Sequence, residues 1–431
     1  MTFHPHRTLS LAVTALCAAL LSACAVSPPP PAPSAPPPQP EAASGSTAKP
    51  GWATRRYAVA AANPLATDAG RQVLAAGGSA VDAAIAVQMV LSLVEPQSSG
   101  IGGGAFLLHF NGTTTQAFDG RETAPAAATP ALFLDASGQA MKFADAVVGG
   151  RSVGVPGAVA MLAQAHALHG KLPWAQLFQP AINLANQGFA ISPRMAALLA
   201  ADPHLKKDPV AAAYFYDAAG KPWPAGHVLR NPELAAVLQG IATRGPSALL
   251  RGEVGEAIAR KVQGHPTNPG SLSTRDLASY RPLVREPLCF DYDTAPRPVR
   301  ICGMPPPSSG AIAIGQILRM LDHTPARSLP LVQGQPGADW LHLYTEASRL
   351  AFADRAQYVA DPDFVPAPGG RWLNLLDPAY LAARAALIGP RRAPQVEPGR
   401  PAGAALAHAP MPTQPEAGTS HIGIVDAQGN M

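Results

Sequence analysis

A hydroxyl residue that follows a glycine and opens a strand can be the nucleophile of its own chain. Gly418-Thr419-Ser420-His421 has that form: it leads into Ile422, Ile424 and Val425 and stops at a turn over 426–430. If the Gly418–Thr419 bond is cut, the freed α-amino group of Thr419 stands beside its own hydroxyl and can act as the general base. Glycine before the bond permits the uncommon backbone angles that a strained scissile peptide needs. A linker followed by an ordinary edge strand satisfies the same residues. Arg121 sits in Asp119-Gly120-Arg121-Glu122-Thr123, a loop leaving a strand end. A guanidinium there can grip a carboxylate through two parallel hydrogen bonds, or pair with Asp119 or Glu122. His166 and His169 lie three apart on one expected helix, which is metal-ligand spacing, but no third ligand lies nearby and we expect no metal. Cys289 and Cys302 flank two β-favouring runs, 287–292 and 299–304, about a turn at 294–297. A cross-strand disulfide fits an oxidising compartment; two buried thiols fit the residues equally well.

These residues need elements to hold them. A first helix is expected over 67–76, capped by Thr67 or Asp68 and ended by Gly77-Gly78. Ser79 caps a second, over 80–94, which is apolar nearly all round and therefore a buried core element. Ser99-Gly100-Ile101-Gly102-Gly103-Gly104 follows, then a strand over 105–110, an Asn111-Gly112 turn and a strand over 113–118. The order helix, glycines, strand is the reverse of a dinucleotide fingerprint, so close backbone packing or backbone approach to a ligand accounts better for the glycines. Further helices are expected at 157–169, 174–187 (interrupted at Pro180), 231–243, 253–262, 311–321 and 339–359, with a short one after Ser273. The charges Glu346, Arg349, Asp354 and Arg355 read as a surface or interhelical network.

At 431 residues, with 47% hydrophobic and 14% charged residues, the chain can bury a large core. A net charge of +4 with no block of like charge gives no footprint for nucleic acid. The N-terminus reads as a targeting segment: His4, His6 and Arg7 precede an apolar run over 9–21, too short to span a bilayer comfortably, which ends in Leu21-Ser22-Ala23-Cys24. Residues 1–23 thus resemble a bacterial lipoprotein signal, with Cys24 lipidated, and an ordinary cleaved signal is the alternative. Ala25 carries no acidic retention signal, so the expected location is the periplasmic face of the outer membrane. Residues 24–52, rich in Pro and Ala, read as an extended tether.

Taken together, the separated motifs resemble the γ-glutamyltransferase (glutathione hydrolase) family of the N-terminal nucleophile superfamily. They are Gly77-Gly78-Ser79-Ala80-Val81-Asp82, Ser99–Gly104, Gly120-Arg121-Glu122-Thr123-Ala124-Pro125, Val153-Gly154-Val155-Pro156-Gly157, Met304–Gly310, Glu346-Ala347, Ala353-Asp354-Arg355, Asp361-Pro362-Asp363-Phe364 and Gly418-Thr419-Ser420-His421, with Val425-Asp426 and Gly429-Asn430. The resemblance implies an α+β fold, a four-layer αββα sandwich, made as one precursor that cuts itself between Gly418 and Thr419. Residues 53–418 would be the large-subunit region and 419–431 the start of the small subunit. Thr419 would be the nucleophile toward glutathione and other γ-glutamyl compounds, with water or an acceptor amine taking the acyl group. Arg121 would bind the glutamate α-carboxylate, and no cofactor would be needed. In the family the small subunit runs on well past the position of Met431 and supplies α-amino-binding residues and oxyanion donors. The sequence is therefore expected to be a fragment. The alternatives are a shortened, non-catalytic lipoprotein with a binding or scaffold role, and a related amidase of the cephalosporin acylase type.

Overall fold

The computed structural model describes residues 53–294, 297–404, 410–411 and 418–431. The signal, Cys24 and the whole tether lie outside the described residues. The architecture is α+β, with two hydrophobic cores.

The first core is built around α2 (Ala80–Val94), of which all but two residues, Ala84 and Gln88, are buried. Its start is fixed by a reciprocal capping box: the Ser79 side chain accepts from Asp82 N, and the Asp82 carboxylate accepts from Ser79 N. Helix α1 (Pro64–Ala75) packs against it and begins three residues earlier than expected. Asn63 caps it by accepting from Leu65 N, and Pro64 supplies a preset φ at the first helical position; Asp68, expected near the cap, instead bonds Arg71 and Gln72 inside the helix. The hairpin β2 (Ala105–Phe110) and β3 (Thr115–Gly120) pairs Ala105 with Gly120 and Phe110 with Thr115. Its second strand starts two residues later than expected. The Asn111 side chain accepts from the N–H groups of both Thr113 and Thr114, which widens the two-residue turn. Helix α3 (Ala158–His169) lies on β3. Helices α4 (Gln179–Gln187), α5 (Pro193–Ala201) and α6 (Pro232–Arg244) complete this layer. Strand β4 (Leu283–Arg285) extends the sheet by pairing with β3, Arg285 opposite Ala117.

The second core joins the hairpin β5 (Leu288–Asp293) and β6 (Pro298–Gly303) to α7 (Gly310–Leu321), α8 (Ala338–Tyr358) and α9 (Pro378–Ala385). Cys289 and Cys302 are directly opposite in this hairpin and are joined as a disulfide. Two acidic residues of α8, Glu346 and Asp354, are buried. Asp354 is 1% exposed and accepts from Arg384, Tyr380, Gln316 and Gly399 N. Glu346 accepts from Arg349 and Ala393 N. These carboxylates therefore tie α9 and the 393–399 segment onto α8, which the helical charge spacing alone does not reveal.

Strand β7 (Gly423–Val425) pairs antiparallel with β1 (Ala58–Ala60), Ala58 opposite Val425. Among the described residues no helix is long and apolar enough to cross a membrane.

Candidate active site

Thr419 lies four residues before the first residue of β7, exposed, after a half-buried Gly418. Three anchors hold the segment that follows it. Strand β7 is paired to β1, and its partly buried Ile422 and Ile424 pack on the first core. The Asp426 carboxylate, 1% exposed, accepts from Ala80 N at the start of α2 and closes its own turn by accepting from Gln428 N, Asn430 N and Asn430 Nδ2. Burial alone would raise this carboxyl. The hydrogen bonds from Asn430, Gln428 and Ala80 outweigh it and hold the group below the usual carboxylate range. Beyond the turn, Met431 exchanges both backbone hydrogen bonds with Phe110 on the free edge of β2, and its carbonyl lies 3.0 Å from His109 Nδ1.

Between α2, β2 and this terminal segment runs a groove of about 370 Å³, lined by Ala84, Ala105, Leu107, Met161, Ser420 and His421 among others. The Ser420 hydroxyl is buried and has no hydrogen-bond partner among the described residues. Ser420, the residue after Thr419, thus lines a largely apolar trough.

Arg121 leaves the hairpin at the end where Gly120 faces Ala105, a lining residue of that groove. Its backbone is pinned on both sides: its N–H donates to Asp119 Oδ1 at 2.9 Å, and its carbonyl accepts the Tyr280 hydroxyl at 2.8 Å. Its side chain is 62% exposed, with only Glu122 Oε2 nearby at 3.4 Å. Among the described residues no hydrogen bond or ion pair links Arg121 to Gly418 or Thr419. The glycine-rich loop packs under this corner. Gly103 O accepts from Gly157 N and Ala158 N, and Gly104 N donates to Glu122 Oε1. A Cβ on Gly104 would fall 2.5 Å from Glu122 Oε2, so this glycine is there for close approach.

The two histidines of α3 bind no metal cluster among the described residues. His169 bonds Gln116 and lies 4.1 Å, ring to ring, from His109, while His166 bonds the Leu172 carbonyl. Burial pushes the imidazoles of His109 and His169 down. The disulfide belongs to the second core, although Met304, just past its hairpin, reaches the groove.

Three residues of this arrangement carry no spacing signal. Tyr280 and Arg285 reach Arg121 and Asp119 across more than 150 positions, as the separations of 159 and 166 show. Asp426 is likewise 346 positions from its partner at Ala80.

The family profile described as Gamma-glutamyltranspeptidase matches residues 66–431. The chain is 37% identical over 332 residues to the glutathione hydrolase proenzyme of Bacillus subtilis, covering 77% of this chain and 54% of that protein. It is also 37% identical over 376 residues to the acylase ACY 1 proenzyme of a Pseudomonas species, covering 86% of this chain and 63% of that one. The chain thus spans between half and two thirds of the length of these relatives. Among solved structures, the γ-glutamyltranspeptidase of Helicobacter pylori superposes with a TM-score of 0.73 at 33% identity, covering 81% of this chain and 98% of that one. An α+β chain whose profile match runs from α1 to its last residue, and which superposes on a solved member, belongs to the γ-glutamyltranspeptidase family.

Proposed function

We propose that this chain is the precursor, or part of the precursor, of an enzyme that hydrolyses or transfers γ-glutamyl groups through Thr419. The observation that carries the reading is the placement of Thr419: exposed, directly after a glycine, and leading into a strand anchored at β1, Ala80 and Phe110. In maturation the Thr419 hydroxyl attacks the Gly418 carbonyl, the Thr419 nitrogen departs with a proton, and water opens the resulting ester. In turnover the new amine assists the same hydroxyl in attacking the γ-amide carbon of glutathione. Cysteinylglycine leaves protonated, and a γ-glutamyl ester remains on Thr419 until water or an acceptor amine takes the acyl group. Arg121 holds the α-carboxylate, as a guanidinium exposed on a doubly pinned backbone can. No step needs a cofactor.

The acylase relatives are as similar as the glutathione hydrolase ones, so identity does not choose between substrates. Arg121 favours an acyl group that carries an α-carboxylate. We further propose that the chain is a lipoprotein anchored through Cys24 on the periplasmic side of the outer membrane.

Expressed from its complete reading frame, the protein is expected to resolve into two bands in a denaturing gel, and Thr419→Ala into one. Cleavage of Thr419→Ala at the same bond would place the nucleophile elsewhere.

A further inference from the structure

Arg121 is flanked in sequence by two acids, Asp119 and Glu122, either of which can fold its guanidinium back and deny it to a ligand. Asp119 is occupied on both oxygens and Glu122 on one. Asp119 is 5% exposed, and its Oδ2 takes Arg285 Nε at 2.6 Å. Its Oδ1 takes the Arg121 backbone N–H instead of the Arg121 side chain. Glu122 Oε1 takes Gly104 N at 2.8 Å, which ties that carboxylate to the glycine loop and leaves its Oε2 at 3.4 Å from Arg121 Nη1, beyond a strong charge-assisted hydrogen bond. Arg285 is set by register, since β4 places it opposite Ala117 and beside β3, and Asp363 Oδ2 reaches it from outside at 3.3 Å. Asp363 belongs to Asp361-Pro362-Asp363-Phe364, a motif with no part in the chemistry proposed for Thr419.

We propose that Arg285 is a positioning residue for Arg121: by holding the Asp119 carboxylate, it keeps the Arg121 guanidinium free for the carboxylate of the substrate. Tyr280 completes the frame. Its hydroxyl donates to the Arg121 carbonyl, and burial, with the Asp119 and Glu122 carboxylates close by, pushes its phenol up, so it stays a donor across the working pH range. Without the Arg285 charge, a buried Asp119 carboxylate is left with Arg121, two residues away, as the cation next to it in sequence. A buried carboxylate that loses its cation recruits another or takes up a proton. The inference rests on the reading of Arg121 as the carboxylate binder.

The test uses protein from the complete reading frame and a γ-glutamyl anilide as substrate. Arg285→Gln is expected to raise KM about tenfold or more while kcat stays within about threefold, the signature of lost ground-state binding. The neutral pair Asp119→Asn with Arg285→Gln is expected to bring KM back to within about threefold of wild type, because the amide exerts no charge pull on Arg121. A purely structural role predicts no such rescue. Tyr280→Phe is expected to raise KM about threefold or more with the Gly418–Thr419 cut unaffected. An unchanged KM in Arg285→Gln, or a double variant no better than the single one, overturns the proposal. If Arg285→Gln does not fold, the neutral pair decides: a KM near wild type supports the role, and a tenfold rise refutes it. Arg121→Ala runs alongside, and an unchanged KM in that variant refutes the substrate reading itself, whatever Arg285 does.

Discussion

Replacing Asp426 with Ala removes a carboxylate that is 1% exposed and accepts four hydrogen bonds, one of them from the start of α2. The donors differ in what they lose. Gln428 is exposed and Asn430 half-buried, so their groups can turn to water. Ala80 is 4% exposed and its N–H cannot. A buried donor left unsatisfied costs about 1–3 kcal/mol, and losing an anion at a helix N-terminus costs about 0.3–1 kcal/mol more. The expected loss is therefore roughly 1.5–4 kcal/mol, with Asp426→Asn nearer the low end because it keeps an acceptor. The assay is urea unfolding followed by tryptophan fluorescence, in a Thr419→Ala background so that both proteins remain single chains. A lower midpoint with an unchanged slope reports the stability difference. The pH dependence supplies a second reading. The folded carboxyl titrates below its unfolded value of about 3.9, so its stabilisation is complete above that pH and is lost as pH falls through the lower folded value. The gap between wild type and Asp426→Ala should be constant near neutrality and close in acid. A neutral-pH gap under about 0.5 kcal/mol, the range of ordinary surface changes, would refute the anchoring role.

Gly157→Ala would place a Cβ 2.1 Å from the Tyr280 hydroxyl and 2.3 Å from the Gly120 carbonyl, so the variant should lose about 1–3 kcal/mol of stability, measured as a lowered unfolding midpoint. Since the displaced hydroxyl is the one that holds the Arg121 carbonyl, KM should rise with it; a stable variant with normal KM would contradict the packing. Cys24→Ser should release the protein from the membrane fraction, and a variant that still pellets with membranes refutes the lipoprotein proposal.

Much of the fold was legible because its signals are local. Ser79 and Asp82 form their capping box within one turn, and the all-apolar α2 can only be a core helix. Three of the helices that escaped notice share one device. Ser192-Pro193, Asp208-Pro209 and Asp377-Pro378 each place a capping oxygen before a proline at the first helical position. In a chain with 48 prolines those pairs read as turns, yet Asn63-Pro64 and Asn231-Pro232 use the same start. The site was legible as motifs but not as an arrangement. Thr419 and Arg121 stand out by type and setting, whereas nothing near Tyr280 or Arg285 in sequence marks them as the neighbours of Arg121. Pairings across that much chain are set by strand register and core packing, and side-chain spacing does not encode them.

The anchor between Asp426 and Ala80 also has a bearing on when the protein can mature. Its two ends are 346 residues apart, and the strand beside it joins β7 to β1, the first described element of the chain. At a synthesis rate of about 5–20 residues per second, β1 and the start of α2 wait on the order of tens of seconds for their partners. Under the reading proposed for Thr419, the scissile bond acquires its fixed seat only after that interval. Self-cleavage would then wait for synthesis of the 419–431 segment, and a chain stalled before it would stay uncut.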